Sequence, residues 1–185
     1  MVLADLPELL KASPGFHVSL NLSPQDLVAD GPVQYLQRRF SAMEFPAGAL
    51  MLEVTERGLV DIEAARPALQ AARQIGASIA LDDFGTGYSS LSMLESIDID
   101  TLKIDRIFIA SIGAQAAISP VTTHIIEMAH TLKLALIAEG VETQDQVDFL
   151  IARGVRQAQG WKFARAMPLV ELLAGLRAAP PAHPQ

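Results

Sequence analysis

A chain of 185 residues, half of them hydrophobic, is long enough for one domain with a sizeable core, and no apolar run approaches the roughly 20 residues a membrane-spanning helix needs. A formal net charge of −7 argues against a binder of nucleic-acid polymer, and a phosphate-bearing ligand would need a cation to bring two anions together. With no cysteine, disulfides and thiolate metal sites are excluded, and with no secretory pattern at the N-terminus a cytoplasmic location is the expectation.

Residues Asp5 to Lys11 read as a helix with Leu6, Leu9 and Leu10 on one side, broken by Ser13-Pro14-Gly15. Phe16 to Leu22 reads as a strand, and Ser23-Pro24 followed by Asp26 is a helix start. Gly31-Pro32 interrupts before a helical stretch from Val33 to Met43. Leu50 to Glu56 is the next strand. Ile62, Ala65, Leu69, Ala72 and Ile75 then mark one face of a helix stopped by Gly76. The run that follows, from Ile79 to Leu91, is an apolar strand ending in the adjacent carboxylates Asp82 and Asp83, two glycines and a Ser/Thr-rich entry into a short helix from Ser89 to Leu94.

Thr101 to Asp105 is a fourth strand, and a loop leads to a helix from Ser119-Pro120 with Val121, Ile125, Met128, Ala129 and Leu132 in register. Ala135 to Glu139 is a fifth strand. Thr143 with Gln146 forms a capping box, with Val147, Leu150 and Ile151 as the buried face of its helix. Val155 to Phe163 is a weaker sixth strand, and a last helix covers Pro168 to Arg177. Residues 1–177 therefore read as one α/β domain with alternating strands and helices, and 178–185 as a disordered Pro-rich tail.

Polar residues cluster at the C-terminal ends of these strands: Asn21, Glu53 with Glu56, Asp82 with Asp83, Lys103 with Asp105, Glu139 with Glu142, and Gln159. In a parallel sheet those ends share one face, where active sites are built; the alternative is a set of unrelated caps. Asp82-Asp83 is open to two readings, a metal site or a capped turn. The donors are oxygen only, which suits Mg²⁺, Mn²⁺ or Ca²⁺ rather than zinc or copper, and adjacent aspartates can serve two ions about 3.5–4 Å apart. Lys103 reads either as an electrophile or water-orienting group, or as the partner of Asp105 or Asp82 in a salt bridge. His17, His124, His130 and His183 read as structural or solvated.

The ordered set Val18-Ser19-Leu20-Asn21-Leu22-Ser23, Leu52-Glu53-Val54-Thr55-Glu56, Asp82-Asp83-Phe84-Gly85-Thr86-Gly87-Tyr88-Ser89-Ser90-Leu91, Leu102-Lys103-Ile104-Asp105, Ala138-Glu139-Gly140-Val141-Glu142 and Gln159-Gly160 resembles the EAL-domain family of cyclic-di-GMP phosphodiesterases, from Phe16 to Pro168. The resemblance implies a TIM-like (β/α) barrel using two Mg²⁺ or Mn²⁺ ions to hydrolyse cyclic di-GMP to linear pGpG. It makes Asn21, Glu53 and Asp82 ligands of the first metal and Asp82 with Asp83 the holders of the second. Glu139 becomes a further ligand or general base, and Lys103 a contact to the nucleophilic water or a phosphate oxygen. Glu56 would steady the loop Gly85 to Ser90, with Glu142 and Gln159 at the site's edge.

The Glu-Ala-Leu signature of that family, expected well upstream of Asn21 together with an arginine that grips phosphate, does not occur here. The expectation is thus an incomplete barrel lacking roughly its first two strands, with an impaired first-metal shell. The activity alternatives are a phosphodiesterase or an inactive cyclic-di-GMP-binding or protein-interaction module. An open barrel would expose strand edges, so a homo-oligomer or a partner chain covering the gap is expected.

Overall fold

A computed structural model describes residues 2–28, 31–41, 45–59, 61–85, 94, 96–113 and 120–178. Helix α1 (Val2–Ala12) leads into strand β1 (Val18–Leu22), a short helix α2 (Pro24–Val28) and helix α3 (Pro32–Ser41). Strand β2 (Leu50–Thr55) runs into a 3₁₀ turn at Glu56–Leu59, then helix α4 (Ile62–Gln74) and strand β3 (Ser78–Phe84). Strand β4 (Thr101–Ile104), helix α5 (Arg106–Ala110), helix α6 (Pro120–Thr131) and strand β5 (Ala135–Ala138) follow. The chain continues through helix α7 (Gln144–Ala152), strand β6 (Gln157–Ala158) and helix α8 (Leu169–Ala178).

The local chemistry accounts for these boundaries. Ser23 and Asp26 bond reciprocally at the start of α2, Asp26 N–H donating to Ser23 Oγ at 3.3 Å and Ser23 N–H to Asp26 Oδ2 at 2.9 Å. Asp61 caps α4, accepting from Ala64 N–H at 3.0 Å, and the helix runs unbroken through Pro67. The capping box of Thr143 and Gln146 forms at α7.

The six strands lie side by side in chain order, β1 to β6, all parallel. They form the curled half-barrel that the family resemblance implies, and no described strand joins β1 to β6. Alternation along each strand sorts its side chains. Leu22, Leu52, Val54, Ile79, Leu81, Leu102, Ile104 and Leu136 belong to the continuous core that the helices cover, whereas Met51, Ala80 and Ile137 form a small separate apolar cluster. Burying so many aliphatic chains, each contributing roughly 1.5–3 kcal/mol relative to exposure, holds the layers together. Among the described residues no helix is long and apolar enough to cross a membrane.

Several elements differ from the sequence expectation. The sixth strand is two residues, Gln157–Ala158, rather than nine, because the chain beyond Gln159 turns back on the segment after β5. Five residues after β4 form α5 where a loop was expected, with Asp105 as its cap. The buried stripe of α6 is Thr122, Ile125, Ile126 and Ala129, so Val121 falls outside it and is 48% exposed. In α7 the stripe is Gln146, Phe149 and Leu150, which leaves Ile151 facing solvent. Most of the expected helix Ser89–Leu94, the loop beyond Gly85 and the tail beyond Ala178 lie outside the described residues.

Candidate active site

The acidic pair sits inside a strand rather than beyond its end. Strand β3 keeps register with β4 through Ala80↔Thr101 and Leu81↔Leu102, then slips so that Phe84 opposes Ile104. One extra residue is thereby accommodated on β3, a β-bulge, and Asp83 takes φ 57 in the left-handed region that aspartate tolerates better than most residues. In a regular strand two adjacent side chains would point to opposite faces, and the bulge relaxes that rule at Asp82 and Asp83. Asp82 Oδ1 accepts from the Asp83 N–H at 3.0 Å. Burial, the Asp82 charge and a hydrogen bond with Asp105 push the Asp83 carboxyl above its ordinary range.

Lys103 is the hub. Its ammonium lies 2.5 Å from Glu53 Oε2, 2.6 Å from Glu139 Oε1 and 3.1 Å from Asp82 Oδ1, drawing one carboxylate each from β2, β3 and the residue after β5. The Lys103 side chain is 3% exposed and that of Glu53 6%, against 14% and 17% for Asp82 and Glu139, so the cluster is buried at its base and opens toward Asp82 and Glu139. Burial pulls the Lys103 ammonium down, but hydrogen bonds and charge from Glu139 and Glu53 more than offset it and hold the group above its usual value. Burial raises the Glu139 carboxyl; the lysine pulls it back and the charges of Asp82 and Glu53 push it up again, for a net rise. Of the salt bridges considered for Lys103, the one to Asp82 forms. Asp105 instead accepts from Ile107 N–H at 2.7 Å.

The remaining candidate residues surround this hub. Asn21 is the register partner of Glu53 on the same face of the sheet and is exposed. Gln159 donates from Nε2 to Glu139 Oε1 at 2.6 Å. Glu56 is buried and accepts the Gly85 N–H on Oε1 at 2.8 Å, while its Oε2 has no hydrogen-bond partner among the described residues. Gly85 has φ +89, and a Cβ there would lie 2.9 Å from the Phe108 ring, so the turn following the bulge requires glycine. Glu142 is exposed just before α7, and its backbone N–H donates to Gln146 Oε1 at 2.7 Å. Two histidines bond to backbone, His124 Nδ1 to Pro120 O at 2.6 Å and His130 Nε2 to Arg153 O at 2.9 Å.

A cavity of about 480 Å³ lies between the two open edges of the half-barrel, lined by Ser19, Glu53, Ile137, Arg156, Gln157 and Gln159 among others. Arg156 was not singled out from the sequence. Only its place in an acid-free stretch next to Gln159 could have marked it.

The donor set fits hard divalent cations by its chemistry, all carboxylate or amide oxygen, with three carboxylates gathered on one ammonium and an excess of negative charge left over. Among the described residues no group of three His, Cys, Asp or Glu side chains is spaced to hold an ion, and Lys103 lies where Glu53, Asp82 and Glu139 meet.

An acidic cluster at the C-terminal ends of a curled parallel sheet places the chain among barrel proteins that build their sites from strand ends. The EAL domain matches residues 1–166, and the chain belongs to that family. It is 40% identical over 172 residues to a probable cyclic di-GMP phosphodiesterase, PdeB of Escherichia coli K12, covering 93% of this chain and 33% of that protein. The crystal structure of the EAL domain of Mycobacterium smegmatis DcpA superposes with a TM-score of 0.84 at 35% identity, over 95% of this chain and 81% of that one. Klebsiella pneumoniae BlrP1, in a complex with manganese and cyclic di-GMP, gives 0.72 at 28% identity over 89% of this chain and 42% of that one. The chain thus spans about a third of the length of the curated relatives it matches.

Proposed function

We propose that the chain binds cyclic di-GMP and, with two divalent ions, Mg²⁺ or Mn²⁺, hydrolyses one phosphodiester bond to give linear pGpG. The observation that carries this reading is the gathering of Glu53 from β2, Asp82 from β3 and Glu139 from just after β5 on the buried Lys103 ammonium of β4. The likeness to PdeB, a probable cyclic di-GMP phosphodiesterase, and to BlrP1 in its complex with manganese and cyclic di-GMP supports it. Asn21, Glu53 and Asp82 would hold the first ion, and Asp82 with Asp83 the second. Bound there, the ions would supply a hydroxide-like nucleophile at neutral pH and charge stabilisation for the phosphoryl oxygens.

The chain's own groups do the rest. Lys103, kept charged by its carboxylate partners, donates to the attacking water or to a phosphoryl oxygen. Glu139, its carboxyl held above its ordinary range by burial and by the charges of Asp82 and Glu53, accepts the water's proton, and Gln159 fixes its orientation. The water oxygen bonds to phosphorus, the bond from phosphorus to the 3′ oxygen breaks, and the proton passes to that 3′ oxygen. Glu56 holds the turn at Gly85 behind the acidic pair, and Glu142 stands at the edge.

Incubation with cyclic di-GMP and Mn²⁺, followed by chromatography, tests the reading: pGpG must form, and Asp82→Asn must abolish it. The ion pairs that Lys103 already makes favour a second reading, a module that binds cyclic di-GMP or a protein partner without turnover. Binding with no product supports that one, and neither binding nor product sinks both. Both sheet edges lack a strand partner among the described residues, which also supports association with a second copy or a partner chain.

A further inference from the structure

The turn that leaves β6 carries aromatic and basic side chains that the acidic cluster does not use. Beyond Gln159 the chain folds back: Val141 N–H donates to Gln159 O at 3.0 Å and Lys162 N–H to Val141 O at 2.9 Å. Gly160 permits this approach, since a Cβ there would lie 2.2 Å from Val141 O. Trp161 is thereby pinned two residues from Gln159, whose side chain is bonded to Glu139 in the cluster. It is nevertheless 64% exposed, and Phe163 is 56% exposed. The Arg165 guanidinium stacks on the indole, Cζ 4.5 Å from the ring centroid, which braces the ring while leaving most of it in water.

Charge reinforces the pattern. From Phe149 to Val170 the chain carries Arg153, Arg156, Lys162 and Arg165 and no acidic residue, although the whole chain has a net charge of −7. An acidic protein that concentrates cations beside an exposed indole, on the turn that follows the Glu139-bonded Gln159, offers them to an anionic, aromatic ligand.

We propose that Trp161, braced by Arg165, is a stacking platform for one purine base of a nucleotide phosphodiester, with Lys162 and Arg165 drawing in its phosphates. This rests on the proposed function and assigns a base-binding element to the same site. Base stacking on an aromatic side chain is sequence-tolerant and strong enough to be read by substitution.

Trp161 is the single tryptophan of the chain, so its fluorescence reports the platform directly. Titration with cyclic di-GMP in Mn²⁺ is expected to quench the emission, saturating with the Kd found by equilibrium dialysis. Trp161→Ala is expected to weaken that Kd about tenfold, Trp161→Phe to recover most of it, and in turnover the loss to fall on KM rather than kcat. Turnover by the natural chain with Kd and KM unmoved in Trp161→Ala overturns the platform and leaves the proposed function standing. A natural chain that neither binds nor cleaves cyclic di-GMP overturns both. Co-sedimentation with phosphatidylglycerol vesicles that Trp161→Ala abolishes, with nucleotide Kd unchanged, assigns the turn to a lipid surface and overturns the platform.

Discussion

Lys103 places one ammonium where three carboxylates meet, and it is almost completely buried. Replacing it with methionine leaves Glu53, Asp82 and Glu139 facing each other without a counter-charge, a loss of about 3–5 kcal/mol by comparison with other broken buried pairs. Divalent ions should recover part of that loss. Mn²⁺ is therefore expected to raise the Tm of Lys103→Met more than that of the natural chain, both measured against EDTA by calorimetry, while pGpG formation by the variant disappears. An equal Mn²⁺ effect in both proteins would mean that the ion does not replace the Lys103 charge at these carboxylates. Glu56 offers a second test at this scale. Glu56→Ala removes the acceptor for Gly85 N–H, at a cost of about 1–3 kcal/mol, and should slow turnover in a protein that still folds. Glu56→Gln keeps an acceptor oxygen and should retain most of the rate.

At the scale of the elements, Gln146 ties three segments together. Its Oε1 accepts from Glu142 and Thr143 N–H at 2.7 and 3.0 Å, and its Nε2 donates to Ile109 O in α5 at 3.1 Å. Gln146→Ala is expected to cost about 2–3 kcal/mol in urea unfolding, against about 1 kcal/mol for Thr143→Ala, which removes only the cap. That capping box was legible in the sequence, as were β1 to β5, because a short apolar run that stops at a polar residue suits a strand buried along its length and open at its end. Helix α5 was not, since five residues are too few to show a helical period. The bulge was hidden for another reason: Asp82-Asp83 looks like the end of a strand, and only the pairing of buried Phe84 with Ile104 shows that the strand continues through it. The carboxylates and Lys103 could be picked out individually as residues ending buried runs. Their common meeting point could not, because it depends on how four strands curl.

Across the whole molecule, the six-stranded sheet curls without closing, and β1 and β6 each leave an unpaired edge among the described residues. Met51, Ala80 and Ile137 form their small buried apolar cluster apart from the main core. Sedimentation velocity over a range of concentrations is expected to show association. A single monomer boundary at every concentration would count against a partner for those edges. The internal lysine bears on the order of events in the cell. A nascent acidic cluster that carries its own counter-ion has no need of metal to become compact, unlike small zinc domains that stay unfolded until they are loaded. On the proposed reading, metal uptake would be a late and reversible exchange on a finished scaffold, in which a fluctuating ion supply would set how many molecules are loaded far more than how many are folded.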